Sequence, residues 1–474
     1  MKCIDSHYID GRFVASHGEE RLPLQDPSTG ATVAEVVLGD ATDVERAVAA
    51  AVKAFPAFSR SSLDERAGYL RALHAALLAR EDEHVVARAQ EYGAVERHSR
   101  FSIQGAAKAF LNMAATLPQV PFERQMGKAW VTNHAVGVAA LITPWNSAVF
   151  MICNKLAPAL AAGCTVVIKP SELSAQQTRL LMECVDAAGL PPGVVNLVNG
   201  RGDTVGEALA RHRQVAKVSF TGSTAVGKHI MRVAADTLKR LTLELGGKSA
   251  HILLDDVDMD TAIPFALATA FMNNGQACIA GSRLLVPRAR LQEAQQALLR
   301  HLPAWRSGRP GDAGTAIGPA VSQAQHARVQ GYIQAGLDEG ATLLAGGLGA
   351  PPGLEAGWFT RPTVFVDVHN GMTIAREEIF GPVLSVIGYA DEEEAIAIAN
   401  DSPYGLQGWV GTADPERGRA VAARIEAGSL MVNAVFDMLD EAGAPIGGLK
   451  ESGIGREFGV AGIEQYLETR SLFA

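Results

Sequence analysis

The sequence predicts an α/β protein built on doubly wound parallel sheets. Continuous apolar runs at 136–142, 165–168 and 194–198 are typical of strands that are buried on both faces. Helical stretches at 175–188 and 205–212 alternate with runs of this kind. A second alternating series follows later in the chain. Strand alternating with helix predicts parallel sheets with helices on their faces.

The chain has 474 residues, which is too many for one hydrophobic core, so two or three domains are expected. Near the start, residues 7–14 predict a hairpin with Asp10 and Gly11 at its turn. Thr42 is predicted to cap a helix, with Glu45 closing a capping box. Residues 122–138 alternate in a strand-like way and are expected to leave the main globule.

Composition excludes several classes of protein. Hydrophobic residues make up 48% and charged residues 20%, as in ordinary globular domains, and the formal net charge is -9. An acidic chain argues against nucleic acid or an anionic membrane as the main partner. The five cysteines are few and widely spaced without a CxxC pair, so we expect no metal, no disulfide framework and a cytoplasmic location. The most apolar stretch, 156–168, is too short to cross a bilayer.

Three predicted strand ends deliver polar groups to one edge of the first sheet, where open parallel sheets bind ligands. These ends carry Thr143 to Asn146, Lys169 to Glu172, and the glycine loop from Thr221 to Gly227. The loop suits an anion such as a pyrophosphate but lacks the ending of a P-loop. The carboxylate of Glu172, at the second of these strand ends, favours a free ribose 2'-hydroxyl over a 2'-phosphate, and therefore NAD over NADP. Ordinary strand-to-helix turns are the alternative for each segment taken alone.

Two further residues are candidates for a catalytic role. Glu244 lies in an apolar, glycine-flanked segment, and it is either a carboxylate paired with a neighbouring lysine or a base whose pKa is raised by burial. Cys278 follows a Gly-Gln-Ala run, and it is either core filler or a nucleophile.

Seven short motifs in order give the chain a resemblance to a known family. They are TPWN (143–146), KPSE (169–172), FTGS (220–223), ELGGKS (244–249), GQAC (275–278), EEIFGP (377–382) and GGLKESG (447–453). Together they resemble the aldehyde dehydrogenase superfamily, in its hydrolytic NAD(P)-dependent branch, over essentially the whole chain. The resemblance implies a Rossmann-like cofactor domain (1–120 and 139–246), an α/β catalytic domain (247–445) and a small β oligomerisation arm (121–138 and 459–474). It also implies a homodimer or homotetramer.

The same resemblance assigns roles to individual residues. Cys278 is the expected nucleophile, and Asn146 with the Cys278 backbone N–H forms the expected oxyanion hole. Glu244 is expected to activate the hydrolytic water, and Lys155 to lie near the oxyanion site. The residues expected to bind NAD, or possibly NADP, are Thr143, Trp145, Lys169, Ser171, Glu172, Gly202, Gly206, Phe220, Gly222, Ser223, Leu245, Glu378 and Phe380.

The substrate is expected to be a hydrophobic aldehyde, because the residues predicted around the tunnel are mostly apolar and none is arginine or lysine. These residues are Ser147, Phe150, Met151, Met272, Ala277, Ile279, Phe436 and Met438. A semialdehyde bearing a carboxylate would need a cationic anchor, which Arg100 or Arg124 could supply from elsewhere. A CoA-acylating enzyme, a thioesterase and a non-catalytic binding relative remain alternatives.

Overall fold

The computed structural model describes residues 2–435 and 443–473. Within them the chain forms two large sheets, two three-stranded sheets and a two-stranded ribbon. The helices are α1 (Ala41–Phe58), α2 (Leu63–Leu78), α3 (Glu81–Tyr92), α4 (Glu96–Thr116), α5 (Ala148–Ala162), α6 (Ala175–Ala187), α7 (Glu207–Arg211), α8 (Thr224–Ala234), α9 (Met259–Phe271), α10 (Leu291–His301), α11 (Gln323–Asp338), α12 (Thr373–Arg376), α13 (Glu392–Asn400), α14 (Pro415–Ala422) and α15 (Gly459–Glu464).

The strands are short, as is usual in α/β proteins. They are β1 (Lys2–Ile4), β2 (Ser6–Ile9), β3 (Arg12–Ala15), β4 (Glu20–Gln25), β5 (Thr32–Leu38), β6 (Glu123–Met126), β7 (Ala129–Ala135), β8 (Val138–Ile142), β9 (Thr165–Lys169), β10 (Val195–Leu197), β11 (Val215–Thr221), β12 (Arg240–Glu244), β13 (Ala250–Leu253), β14 (Arg283–Pro287), β15 (Thr342–Ala345), β16 (Thr363–Val366), β17 (Val383–Tyr389), β18 (Tyr404–Gly405), β19 (Gln407–Gly411), β20 (Ser429–Val432), β21 (Leu449–Lys450), β22 (Gly453–Ile454) and β23 (Leu467–Phe473).

The first large sheet has the strand order β22-β12-β11-β8-β9-β10-β2-β3. Its inner strands from β12 to β10 run parallel, whereas β22 and the β2–β3 hairpin are antiparallel edges. Helices α2, α4, α5 and α6 bury one face, and α1, α7 and α8 bury the other. The predicted doubly wound α/β fold is therefore confirmed.

The second large sheet has the order β15-β16-β17-β14-β13-β19-β20 and is parallel except for β15. Helices α9 and α10 cover one side, while α11, α13 and α14 contribute to two further apolar clusters. The active-site candidates come from the carboxyl ends of the first sheet and from the loops that enter the second.

A small antiparallel sheet, β23-β7-β6, lies beside these layers. All seven residues of β23 pair with β7, so the end of the described chain is tied to the excursion that the sequence predicts. Met126, Trp130, Leu472 and Phe473 are exposed on this sheet. Helix α15, which precedes β23, packs instead into the core of the first sheet.

The start of α1 differs from the prediction. Asp40, not Thr42, is the N-cap, because its carboxylate accepts hydrogen bonds from the backbone N–H groups of Thr42 at 2.8 Å and Asp43 at 3.3 Å. The capping box is closed by Asp43 and not by Glu45. Asp40 and Asp43 have the same three-residue spacing, and aspartate caps at least as well as threonine. The predicted hairpin turn at Asp10 and Gly11 is confirmed, since both residues have positive φ.

Strand β12 was not anticipated, although it carries one of the candidate catalytic residues. Its sequence, from Arg240 to Glu244, alternates polar and apolar residues and lacks the continuous apolar character of its neighbours. It pairs in parallel with β11 and brings Glu244 level with Thr221 at the ligand edge of the sheet.

Candidate active site

Cys278 stands at the end of a tightly turned loop that follows α9. Asn273, Asn274 and Gly275 have φ values of 51°, 61° and 71°. The left-handed conformation costs residues other than glycine roughly 1–2 kcal/mol each. A Cβ on Gly275 would lie 2.3 Å from the carbonyl carbon of Gly381, so only glycine permits this close approach. The loop is thereby pressed against the segment that carries Glu378 and Phe380.

The thiol of Cys278 is half-buried and lies among carboxyl groups. Burial, followed by the charges of Glu378 and Glu244, raises the pKa of the thiol to about 12. The backbone N–H groups of Cys278 and Ile279 oppose this rise. The thiol is therefore protonated at neutral pH in this structure, and its attack on a carbonyl carbon requires a proton acceptor.

Asn146 is buried just beyond the carboxyl end of β8. Its side-chain Nδ2 donates a hydrogen bond to the carbonyl oxygen of Gln276 at 2.9 Å. Gln276 is two residues before Cys278, so this bond couples the amide to the cysteine loop. One amide hydrogen is used in this bond, and the second, which meets no acceptor among the described residues, can serve an oxyanion.

Glu244 lies at the carboxyl end of β12, and its Oε1 has no hydrogen-bond partner within the described ranges. Burial, followed by the charge of Glu457, raises the pKa of Glu244 to about 8, while Lys155 and Arg456 oppose the rise. No ion pair joins Glu244 to a lysine in the described part of the chain, whereas such a pairing was one of the two interpretations of the sequence. The carboxyl group is thus suited to exchange protons near neutral pH.

Lys155 and Glu457 form a buried ion pair beside Glu244. Lys155 Nζ lies 2.5 Å from Glu457 Oε1 and donates to Ser219 Oγ at 3.2 Å. Sequence reasoning missed Glu457, although an acid in the glycine-rich segment Gly455 to Phe458 was a usable signal. The pair places opposite charges next to the carboxyl group that titrates near pH 8, and so modulates its pKa.

The predicted adenosine-ribose residues meet at the carboxyl end of β9. Lys169 Nζ lies 3.3 Å from Glu172 Oε2, and Ser171 Oγ accepts the N–H of Leu173 at 3.3 Å. Burial lowers the pKa of Lys169, and Glu172 opposes that effect. The backbone N–H of Thr143 donates to the Lys169 carbonyl oxygen at 3.0 Å. The buried hydroxyl of Thr143 has no hydrogen-bond partner among the described residues. An ammonium and a carboxylate side by side suit ribose hydroxyls.

The predicted pyrophosphate residues surround the start of α8. Ser223 caps this helix by accepting a backbone N–H from its first turn. A Cβ on Gly222 would lie 2.4 Å from the ring of Phe220, and a Cβ on Gly227 would lie 2.5 Å from the side chain of Leu245. The glycines therefore allow the helix N-terminus to approach the strand ends closely, which fits a nucleotide phosphate.

Gly202 and Gly206 delimit a helical turn between β10 and α7. A Cβ on either glycine would meet no atom within 4 Å, so neither position is dictated by packing. The turn is close enough to the ribose pair for the charge of Asp203 to act on Lys169.

The predicted nicotinamide residues lie close to the cysteine. Glu378 Oε1 accepts the N–H of Gly247 at 3.2 Å, and burial raises the pKa of Glu378 to about 7. A Cβ on Gly246 would lie 2.6 Å from Glu378 Oε2. Phe380 meets Trp145 edge-on, with 5.3 Å between ring centroids.

One cavity of about 400 Å³ brings Cys278, Glu244 and Asn146 together. Six residues predicted for the substrate tunnel also line it: Ser147, Phe150, Met151, Met272, Ala277 and Ile279. Phe436 and Met438 lie outside the described residues. Apolar side chains that were not anticipated complete much of the wall, namely Phe101, Phe271, Trp305, Val435, Ile446 and Phe458.

The expectation that the tunnel contains no arginine is wrong. Arg88 and Arg97, from α3 and α4, line the cavity together with His98. Neither helix carried a motif, and only tertiary packing turns these side chains towards the cavity. Arg100 is occupied by ion pairs with Glu81, Asp82 and Glu96, and Arg124 lies on the exposed strand β6.

The described residues contain no cluster of at least three histidine, cysteine, aspartate or glutamate side chains arranged to hold a metal ion. No helix in the described ranges is both long and apolar enough to cross a membrane.

The fold and the site are those of an α/β oxidoreductase. The first large sheet carries the predicted nucleotide-binding residues, and residues next to both large sheets line one cavity. A family model described as "Aldehyde dehydrogenase family" matches residues 13–472, and the chain belongs to that family. A 3-succinoylsemialdehyde-pyridine dehydrogenase from Pseudomonas sp is 44% identical over 100% of this chain and 99% of its own. A putative aldehyde dehydrogenase from Staphylococcus aureus (strain MSSA476) is 43% identical, with the same coverage.

Solved structures agree with this assignment. An aldehyde dehydrogenase C mutant from Pseudomonas syringae, complexed with NAD+ and octanal, has a TM-score of 0.96 at 44% identity and covers 99% of this chain and 96% of its own. A Mycobacterium tuberculosis aldehyde dehydrogenase complexed with NAD+ also has a TM-score of 0.96, at 40% identity, and covers 100% of this chain and 98% of its own. The cofactor in both neighbours is the one expected from the sequence.

Proposed function

We propose that this protein oxidises an aldehyde to the carboxylic acid with NAD, through a thiohemiacetal and a thioester on Cys278. The observation that carries the proposal is the single cavity lined by Cys278, Glu244 and Asn146. A thiol, a carboxyl group and an amide in one cavity supply the nucleophile, the base and the oxyanion donor that this chemistry needs.

The first step is the attack of Cys278 Sγ on the aldehyde carbonyl carbon. The thiol has a raised pKa, so its proton passes to a carboxylate, and Glu244 and Glu378 both act on the thiol electrostatically. The oxyanion that forms accepts hydrogen bonds from Asn146 Nδ2 and the backbone N–H of Cys278. The chemistry supplied by NAD when bound is acceptance of the hydride that leaves the thiohemiacetal carbon.

The second step is hydrolysis of the thioester. Glu244 in its ionised form takes a proton from water, and the hydroxide adds to the thioester carbon. The C–S bond then breaks, and Cys278 Sγ leaves as a thiolate that takes the proton back from Glu244. A carboxylate with an ordinary pKa is a weak base, whereas the pKa of about 8 makes Glu244 an effective base near neutral pH. A base at this position favours release of a free acid over acyl transfer to CoA.

The residues present fit NAD. Lys169 and Glu172 would hold the adenosine ribose, the N-terminus of α8 with Ser223 would hold the pyrophosphate, and Glu378 would hold the nicotinamide ribose. Glu172 beside the ribose disfavours the 2'-phosphate of NADP by charge. NAD+ in the neighbouring structures supports the same choice.

For the substrate we propose an aldehyde with an apolar body, which the mainly apolar cavity wall and the octanal in one neighbour support. A second candidate is an aldehyde that carries a carboxylate at its far end. The observation in its favour is that Arg97 lines the cavity and is exposed, so its guanidinium can meet a substrate anion. Arg97→Met should lower kcat/KM for succinate semialdehyde at least tenfold and leave hexanal within twofold if this candidate is correct.

The reaction is tested by NADH formation with hexanal, using wild type and Cys278→Ala. We expect the variant to lose turnover and to keep its affinity for NAD, measured by fluorescence titration. Turnover that survives the substitution would contradict the mechanism. Product analysis with and without CoA separates the acylating alternative, and turnover without NAD would indicate a thioesterase.

We also propose that the β6, β7 and β23 sheet joins copies of the chain into a dimer or tetramer. The exposed side chains of Met126, Trp130, Leu472 and Phe473 support this, because apolar patches on soluble proteins mark interaction surfaces. Light scattering of wild type and Trp130→Asp would test it, with a smaller assembly expected for the variant.

A further inference from the structure

We propose that Arg88 is a positioning residue, which sets the oxyanion amide of Asn146 and the loop before Cys278 in register with each other. The proposal rests on the function proposed above. It concerns a side chain that no motif singles out and that reaches the site from helix α3, outside both catalytic segments.

Arg88 touches both catalytic segments with one nitrogen. The side chain is 2% exposed, and its Nη2 donates to the backbone carbonyl oxygen of Asn146 at 3.3 Å and to Asn273 Oδ1 at 2.8 Å. One guanidinium nitrogen therefore bridges the strand end that supplies the oxyanion amide and the loop that supplies the nucleophile.

Asn273 extends this bridge. Its Nδ2 donates to the Asn146 carbonyl at 2.9 Å and to the Gln276 carbonyl at 3.1 Å. The Gln276 carbonyl also accepts from Asn146 Nδ2. Asn146, Asn273 and Gln276 thus form a closed set of hydrogen bonds, and Arg88 is the charged donor attached to it.

Two neighbours of Arg88 hold the backbone of Asn273 in its left-handed conformation. Tyr92, on the same helix, donates its hydroxyl to the Asn273 carbonyl at 2.7 Å. His98 Nε2 accepts the Asn273 N–H at 3.1 Å. Burial lowers the pKa of His98 to about 4, so the ring is a neutral acceptor at physiological pH. The loop geometry is therefore imposed from α3 and α4.

Arg88 is a buried cation that no carboxylate among the described residues neutralises. It makes no ion pair with a carboxylate in residues 2–435 and 443–473, and its Nη1 has no hydrogen-bond partner there. An uncompensated buried cation is costly and needs a use. Charged hydrogen bonds are roughly twice as strong as neutral ones, so the guanidinium fixes the Asn273 amide more firmly than a neutral donor could.

The test compares kcat/KM for hexanal in wild type, Arg88→Met, Arg88→Lys, Asn146→Ala and the double variant. Arg88→Met should lower kcat/KM roughly 10- to 100-fold, with the Kd for NAD within twofold, because the loss falls on the oxyanion geometry. Arg88→Lys should recover part of the loss, since it keeps the charge without the fork. Because Arg88 sets the Asn146 amide relative to the cysteine loop, part of its effect is lost once that amide is removed, and the double variant should lose clearly less than the product of the two single losses.

Arg66→Met is the matched control. Arg66 is likewise buried and donates to the backbone carbonyls of Ala161, Ala162 and Ser59, away from the cavity. Arg66→Met should lower the melting temperature without the loss of kcat/KM that is expected for Arg88→Met. Additive losses in the double variant, or an Arg88→Met loss no larger than that of the control, would overturn the positioning role.

If Arg88→Met does not fold, the same comparison is made with Arg88→Lys, once in the wild type and once in the Asn146→Ala variant. Failure of the proposed function is separate, because it would show as absence of NADH formation by wild type.

Discussion

Replacement of Glu244 by glutamine removes the proposed water base, and the pH profile of the wild type measures what that base supplies. Burial and then the charge of Glu457 raise the pKa of Glu244 to about 8. Roughly one carboxyl group in ten is then ionised at pH 7 and roughly nine in ten at pH 9. Since only the ionised form accepts a proton from water, kcat should rise roughly tenfold between these pH values if hydrolysis limits turnover.

Two phases of NADH formation separate the steps. The pre-steady-state burst reports formation of the thioester, and the steady state reports its hydrolysis. Glu244→Gln should keep a burst of about one NADH per site and lose roughly 10²–10⁴-fold in steady-state rate. Glu457→Gln should shift the rise of the steady-state rate with pH to lower pH values, because the negative charge that raises the pKa of Glu244 is removed.

Glu377→Gln is the control for removal of a carboxylate near the site, since Glu377 is exposed and accepts a hydrogen bond from Tyr332. Its profile should match that of the wild type. A steady-state rate that is flat from pH 7 to pH 9 would refute the role of Glu244. A pH dependence found in the burst instead would place the titrating group in thioester formation and not in hydrolysis.

Two further predictions concern stability and the tunnel. Asp43→Asn should lower the free energy of unfolding at pH 7 by about 2–4 kcal/mol in urea titrations. Although burial opposes it, hydrogen bonds from His7, His17 and Gly18 hold the pKa of Asp43 well below its ordinary value of 3.8. The wild type therefore keeps this stability above about pH 4 and loses it as the pH falls, and the variant should lack that acid limb. Ser147→Phe should lower kcat/KM for benzaldehyde at least tenfold and leave acetaldehyde within twofold, because Ser147 lines the cavity.

The sequence predicted those parts of the fold whose pattern is local. Strands such as β8 and β9 are buried on both faces, so their apolar runs are continuous and visible. Strand β12 was not predicted, because its amino end is exposed and its polar and apolar residues alternate. The N-cap of α1 was placed two residues late because aspartate and threonine compete for that role over such a short segment.

Motifs in the sequence predicted Cys278, Glu244 and Asn146, the proposed catalytic residues, but not the residues around them. Arg88 and Arg97 lie on helices with no unusual spacing, and which way a helical side chain faces depends on packing against distant segments. Glu457 belongs to a segment whose place is decided by pairing with β12, a long-range contact that no local pattern reports. The roles assigned to the individual cofactor residues and the domain boundaries stay predictions.

The pairing of β22 with β12 has a consequence for how the protein matures on the ribosome. Gly453 lies opposite Glu244, and a Cβ on Gly453 would meet the Leu243 carbonyl oxygen at 2.2 Å, so the two segments are fitted to each other. Glu457 follows four residues later. The proposed base acquires its edge strand and its charged neighbour only from a segment that is synthesised after every strand of the second sheet. A nascent chain can therefore assemble most of the first sheet while its active site is still incomplete.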